Sequence, residues 1–400
     1  MLAEFPLFTI GAIGFFTYLA ACISPNVRAW TSDKFSLTPP SSGWVRPELD
    51  TVRGAAALFV AFYHTWQWLM PVNDRVAEII PFIKEGDKGV PIFASLSGLL
   101  IYKSLGGSLD YLRLRSYFHR RILRIYPLFF AVTLAATAIG QMRSDSTLLH
   151  GIVSEFLMLQ VFGFPYRVVL PTWSLHVEVI FYVFLPAIVV ICGRRTSFVA
   201  IIILLATLFV GHSASRSFQL IPFFCVGMLA LDFGQKSAIF RSAAFANGTA
   251  VIGLAFLVFD IGWNPDVSTT NFPFDPRRGP LLCLGLFLFL SAISSGELRI
   301  SPLRWAPFRM VGVISYSIYL WHTVLLTADV NWVSVDGFGK LHRSLPPGTA
   351  PESSLLFLGI LVPAILFWAG ISYLLIERPF LMFAHKRRSY RKIEQNQNAT

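Results

Sequence analysis

"FVAIIILLATLFV", Phe198 to Val210, is thirteen residues without a charge, a glycine or a proline. As a helix it rises about 20 Å, which is most of a roughly 30 Å hydrocarbon layer. Comparable runs recur along most of the 400-residue chain, which is 54% hydrophobic and 14% charged. Soluble domains carry about 25% charged residues. The chain therefore reads as an all-α, polytopic membrane helix bundle, with no soluble domain of any size.

Working outward from that run, eleven segments are long enough, or nearly so, to span: 5–23, 54–70, 89–105, 124–140, 172–192, 198–212, 217–233, 248–263, 279–295, 310–328 and 353–377. The stretch "TLLHGIVSEFLMLQVFGFP" (Thr147 to Pro165) is left out, because it holds His150, Glu155 and Gln160. A charge at mid-bilayer costs about 2.5–3.5 kcal/mol on insertion scales, so a re-entrant or amphipathic element is expected there. Loop charges agree with eleven spans, the N-terminus outside and the C-terminus cytoplasmic. That threading puts "DYLRLRSYFHRRILR", "GRRTS", "ELRISPLRWAPFR" and "HKRRSYRK" on one side. The opposite loops, such as "NDRVAEIIPFIKEGDKG" and "NPDVSTTNFPFDPRR", are mixed in sign, as the positive-inside rule requires. Loop 328–352, with "SLPPGTAPESS", reads as irregular outer structure. At the N-terminus, "LAAC" (Leu19 to Cys22) has the look of a cleavage box, but "MLAE" lacks the basic residues of a signal peptide. An uncleaved first span is expected.

The net charge of +11 lies mostly in short loops beside apolar spans, where orientation and anionic headgroups account for it and nucleic acid does not. The four cysteines stand singly, without CxxC, so neither a disulfide framework nor a metal site is expected. No internal repeat is visible, which weighs against an inverted-repeat transporter.

Several polar residues do not belong in lipid. Arg53 and His64 are eleven residues apart in the second span. That spacing is roughly 16 Å of rise and about 20° of rotation, so both face the same way. Glu178 in "TWSLHVEVIFYVFLP" and His322 in "ISYSIYLWHTVLL" lie at comparable depth on two other helices. Intramembrane ionisable groups face protein interiors and mark functional sites. A carboxylate beside an imidazole would orient it and raise its basicity, as general-base work needs. Each residue also has a plainer reading: a snorkelling anchor for Arg53, a satisfied interior histidine for His64, a structural hydrogen-bond network for the set. In "FHRRILRIYP", Arg120, Arg121 and Arg124 cluster where a helix leaves the basic side, with Arg121 and Arg124 on one face. Guanidinium groups suit phosphate oxygens, and they also suit membrane anchoring. There is no GxSxG, Walker A or His-x4-Asp box, and His176 and Glu178 point about 200° apart, so no metal is expected.

"RPELDTVRGAAALFVAFYH", "FASLSGLLIY", "FHRRILRIYP", "TWSLHVEVIFYVFLP", "ISYSIYLWH" and "IERPF", in this order over roughly residues 46–380, resemble the acyltransferase-3 family of membrane acyltransferases. The resemblance implies a ten-helix core, with the first span an addition ahead of it. The chain then divides into an N-terminal helix and linker (1–45), the acyltransferase-like membrane domain (46–380) and a basic tail (381–400). It also implies transfer of acetyl or another short acyl group from cytoplasmic acyl-CoA to sugar hydroxyls. Acceptors in the family include exopolysaccharide, O-antigen, peptidoglycan, Nod-factor and antibiotic sugars.

The family's arginine and histidine separated by ten residues are matched by Arg53 and His64, and its RxxR by Arg121 and Arg124. Its SLxxExxFY is matched by Ser174, Leu175, Glu178, Phe181 and Tyr182. The chain departs at Thr51, where many relatives have glycine. On this resemblance His64, Glu178 and Arg53 are the catalytic candidates, with His64 as general base or acyl-carrying nucleophile. Arg120, Arg121 and Arg124 would bind acyl-CoA, with Asp50, Trp173, Ser174 and His322 in support. The expected partners are acyl-CoA as donor substrate, a carbohydrate or glycolipid acceptor, and the plasma (cell inner) membrane bilayer. No permanently bound cofactor is expected. Two other classes stay open on the residues alone: a transporter or flippase for a glycolipid or small solute, and a non-catalytic subunit of a polysaccharide synthase.

Overall fold

A computed structural model describes residues 6–35, 46–69, 81–106, 111–138, 153–158, 169, 171–210, 218–262, 279–329, 334–335, 341–342 and 351–384. In chain order the helices are α1 (Pro6–Ala21), α2 (Pro25–Phe35), α3 (Glu48–Leu69), α4 (Gly89–Leu105), α5 (Tyr111–Ala138), α6 (Thr172–Cys192) and α7 (Thr196–Val210). There follow α8 (Ile221–Lys236), α9 (Ala243–Gly262), α10 (Gly279–Ser295), α11 (Ala306–Val313), α12 (Ser315–Asp329) and α13 (Pro351–Ser372). A 3₁₀ stretch, Pro81–Lys88, precedes α4. The described strands are two-residue pieces, Ser334–Val335 and Leu341–His342, paired antiparallel between α12 and α13.

Where they are described, the eleven expected apolar segments lie almost wholly on helices. Five described helices are long and apolar enough to cross a bilayer: Tyr111–Ala138, Thr172–Cys192, Phe218–Lys236, Ala243–Asp260 and Gly359–Ala384. The pair α1–α2 would make a sixth but bends by 115°, so α2 turns away from the axis of α1 and occupies part of what reads in the sequence as a plain loop. The expected span 310–328 is two helices, α11 and α12, meeting at Ile314. Segment 147–165 lies mostly outside the described residues. Within it, 153–156 forms one helical turn whose buried Glu155 accepts a 2.6 Å bond from Thr172 Oγ1. Large apolar side chains cover the outside, among them Ile191, Phe198 and Leu205. Such a coat suits lipid, since acyl chains solvate it as well as a protein core would.

Two features set where the functional side chains sit. The α3–α11 crossing is glycine on glycine: a Cβ at Gly312 would lie 1.8 Å from the Asp50 carbonyl oxygen, and one at Gly54 2.6 Å from the Gly312 nitrogen. Glycine at both positions lets the start of α3 press this closely on α11. In α6, Pro186 has no N–H for the carbonyl of Tyr182, four residues back. The hydroxyl of buried Tyr117 on α5 supplies the missing donor at 3.1 Å, tying α5 to α6 beside the site. Around this frame α4 packs on α8, α8 on α10 and α10 on α9, while α1 lies along α13 with Trp368 Nε1 donating to the Leu7 carbonyl at 3.0 Å.

Candidate active site

A cavity of about 690 Å³, counted with its open mouth, lies among α3, α4, α5, α6 and α12. One end is basic, with Arg53 from α3 and Arg121 and Arg124 from α5 on its wall. Arg121 and Arg124 are one turn apart, which is why both reach the same space. Arg121 stacks its guanidinium 4.8 Å from the ring centre of Tyr182 and 5.5 Å from that of Tyr117. Aromatic faces hold such a cation without neutralising it, and although Nη2 gives a 3.4 Å bond to Ser104 Oγ, the charge can still attract an anion. Arg53 donates to Asp50 Oδ1 at 3.4 Å. Thr51, the departure from the usual glycine, donates its hydroxyl to the Leu303 carbonyl at 2.8 Å and so fastens the start of α3. Arg120 is not on the cavity wall and gives Nη1 to Ser116 Oγ.

Glu178 of α6 stands in the middle of the wall. Its Oε1 accepts from Ser97 Oγ of α4 at 2.7 Å and from the hydroxyl of Tyr182 one turn along. The other end of the cavity is formed by Phe93, Ser174 and Tyr319. The Tyr319 ring packs edge-on against Phe93 with centroids 5.6 Å apart. Its hydroxyl donates to the Pro171 carbonyl at 2.7 Å and accepts from Ser174 Oγ at 2.6 Å.

One turn beyond Tyr319 on α12 is His322, fully buried, with its ring centroid 6.0 Å from that of Tyr319. His322 Nε2 lies 3.0 Å from His64 Nδ1. The tautomers follow from the partners. His322 Nδ1 is 3.1 Å from the Ile318 carbonyl, which only accepts, so His322 carries its proton on Nδ1. His322 Nε2 is then the acceptor, His64 donates from Nδ1, and the lone pair of a neutral His64 sits on Nε2.

The structure thus brings together most of the residues singled out in the sequence, in two groups. Arg53, Arg121, Arg124, Glu178 and Ser174 line the cavity, and His64 pairs with His322 just past its end. The side chain that orients His64 is an imidazole, whereas Glu178 is bonded to two hydroxyls. Trp173 and Arg120 are off the cavity wall, and Asp50 acts through Arg53. His176 is buried elsewhere, against the edge of Phe129. Among the described residues no group of three His, Cys, Asp or Glu side chains converges as metal ligands would.

Against known proteins, the family model described as "Acyltransferase domain", that of acyltransferase-3, matches residues 46–378. The chain belongs to the acyltransferase-3 family. A protein of Acidianus two-tailed virus named "Putative acetyltransferase ORF330" is 29% identical over 293 residues, covering 70% of this chain and 83% of the relative. No solved structure matches it. This acyltransferase-3 protein is accordingly a multi-pass membrane acyltransferase.

Two further polar residues stand out in the structure, Tyr319 on the cavity wall and Glu377 off it. Tyr319 precedes His322 by one turn in "ISYSIYLWH", so the spacing of Ser315, Tyr316, Tyr319 and His322 is a polar stripe open to inspection. Glu377 of "IERPF" is different. It ends a π-helical turn, Tyr373–Glu377, is buried, and accepts from Ser317 Oγ at 3.1 Å. A π-turn leaves no mark in the spacing of apolar residues, so the direction of Glu377 is invisible in the sequence.

Proposed function

We propose that the protein moves an acetyl or other short acyl group from acyl-CoA to a hydroxyl of a sugar in a cell-surface or exported glycan. The donor's phosphates lie against Arg53, Arg121 and Arg124, and the pantetheine arm runs along the cavity past Glu178. His64 Nε2 takes the proton of the acceptor hydroxyl as the oxygen attacks the thioester carbonyl, and returns it to the departing thiolate. General-base help of this kind is worth about 10²–10⁴ in rate. Acyl-CoA is a substrate in this scheme, and no resident cofactor takes part.

The observation that carries this reading is one alignment. A channel with three arginines at one end finishes, at the other, one helical turn short of a histidine pair whose tautomers leave a basic nitrogen on His64. Phosphates and a thioester separated by an extended arm call for a basic end and a basic nitrogen set apart in this way. The topology that goes with it has eleven spans in the plasma membrane, the N-terminus outside and the C-terminus in the cytoplasm. Residues 1–45 form a leading helix and linker, 46–380 the catalytic body and 381–400 a basic tail.

The test uses purified protein with acetyl-CoA labelled in its acetyl group and a cell-surface glycan fraction. Release of CoA thiol with label on the glycan is expected, and is lost in His64→Ala. A folded His64→Ala protein that transfers acyl at the wild-type rate would remove His64 from the scheme. Ligand flux across proteoliposomes without acyl loss would replace the scheme with transport.

A further inference from the structure

Every attack on a thioester carbonyl puts negative charge on the carbonyl oxygen, and a bilayer interior offers no water to receive it. A hydrogen-bond donor must stand where that oxygen appears. Most hydroxyl protons on the cavity wall are already directed elsewhere. Ser97 and Tyr182 donate to Glu178, and Tyr316 donates to the Ile125 carbonyl at 3.0 Å. The arginines stand at the opposite end. Near the histidine pair the wall hydroxyls are those of Tyr319 and Ser174, and their bonding is unusual in one respect. Tyr319 donates to the Pro171 carbonyl at 2.7 Å, while Ser174 Oγ, which donates to Tyr319, also lies 3.5 Å from that same carbonyl. One acceptor therefore has two hydroxyls within reach. Tyr319 can turn its O–H into the cavity while Ser174 rotates off the Tyr319 oxygen, opening their 2.6 Å contact, and takes over Pro171, so that the Pro171 carbonyl keeps a donor.

We propose that Tyr319 is a catalytic residue of the acyl transfer, its hydroxyl donating to the thioester carbonyl oxygen, with Ser174 as the positioning residue that frees it. This rests on the acyl-CoA reading above. The acceptor oxygen forms a bond to the carbonyl carbon and passes its proton to His64 Nε2. The carbonyl π pair moves onto the oxygen held by Tyr319. That pair then returns, the C–S bond breaks, and the thiolate takes the proton from His64. Phe93, edge-on to the Tyr319 ring, keeps the phenol from swinging out of line.

The experiment compares wild type, Tyr319→Phe and Ser174→Ala in detergent with acetyl-CoA and fluoroacetyl-CoA. In Tyr319→Phe, kcat for acetyl-CoA is expected to fall about 10²-fold with KM within about two-fold, as for loss of one oxyanion donor. Fluorine stabilises the oxyanion itself, so the loss shrinks several-fold with fluoroacetyl-CoA. A kcat within about three-fold of wild type, or an equal loss on both thioesters, overturns the proposal, since a shifted helix would not sense the acyl group's electronics. If Tyr319→Phe does not fold, Ser174→Ala decides by the same pair of thioesters, through a smaller loss that is again relieved by fluorine. Wild-type protein that turns over no acyl-CoA with any hydroxyl acceptor sinks the functional reading itself. Normal wild-type turnover with an unaffected Tyr319→Phe sinks this inference alone.

Discussion

His322 Nε2 accepts a hydrogen bond from His64 Nδ1 at 3.0 Å and itself hangs from the carbonyl of Ile318, while the backbone of Val60 also bonds the His64 ring. The backbones of α12 and of α3 itself thus act together on which nitrogen of His64 can accept a proton. This replaces the carboxylate–histidine arrangement familiar from soluble sites with one that adds no charge to the membrane interior. An ionised carboxylate at the same place would carry a desolvation cost of several kcal/mol.

His322→Phe keeps an aromatic ring, somewhat larger, and removes the acceptor. His64 then keeps only the backbone of Val60 on its own helix as a fixed partner, and kcat is expected to fall about 10²-fold with little change in the KM for acyl-CoA. His64→Ala should lose at least as much. The double variant His64→Ala/His322→Phe should be no worse than His64→Ala, because the two act as one unit. Steady-state kinetics on the four proteins check this, and additive losses would separate the two histidines.

The arginines divide by position. Arg121→Ala and Arg124→Ala each remove a cavity-wall guanidinium and should weaken acyl-CoA binding about tenfold or more, read by calorimetry in detergent. Arg120→Ala, off the wall and bonded to Ser116, should bind within about twofold of wild type. Arg121→Lys should fall between, since an ammonium stacks on Tyr182 and Tyr117 less well than a planar guanidinium does.

Sequence patterns encode some of this architecture and not the rest. Apolar runs mark helices because lipid demands them, so α3 through α13 stand where the runs are. Arg53 and His64 share a face by helical arithmetic, and Arg121 and Arg124 likewise. Which helices are neighbours is not written in any one of them. The meeting of His64 with His322, 258 residues apart, depends on Gly54 lying against Gly312 at the far end of α3. Glu178 reads as a partner for an imidazole because both are buried at similar depth, yet rotation about α6 gives it Ser97 and Tyr182 instead. The bend between α1 and α2 and the π-turn at Glu377 are tertiary outcomes without periodic signatures.

Gly312 gives a test of that crossing. A methyl there would lie 1.8 Å from the Asp50 carbonyl oxygen, which is backbone and cannot step aside. Gly312→Ala should therefore destabilise the fold by about 1–3 kcal/mol or more and shift α3 along with Arg53. The thermal midpoint in detergent should fall, and acyl-CoA binding should weaken in the protein that remains folded. Gly248→Ala is the control, because a Cβ at that position meets nothing within 4 Å.

The last prediction concerns an ion cluster away from the cavity. Lys88, at the end of the 3₁₀ stretch before α4, is buried and places Nζ 2.8 Å from Asp260 Oδ2 on α9 and 2.8 Å from Glu85 Oε2. It also donates to the backbone carbonyl of Asp260 at 2.9 Å. Three charges out of water hold the segment before α4 against α9, and α4 carries Phe93 and Ser97 into the site. Removing the cation alone leaves Asp260 buried and uncompensated, so Lys88→Met should cost about 3–5 kcal/mol. Removing both, Lys88→Met/Asp260→Leu, should recover part of that, because an apolar pair replaces two of the three ions without their desolvation cost while Glu85 loses its partner. Unfolding midpoints of the single and double variants decide between this and a purely packing role for Lys88. A double variant less stable than Lys88→Met would mean that Asp260 holds α9 through contacts other than the lysine.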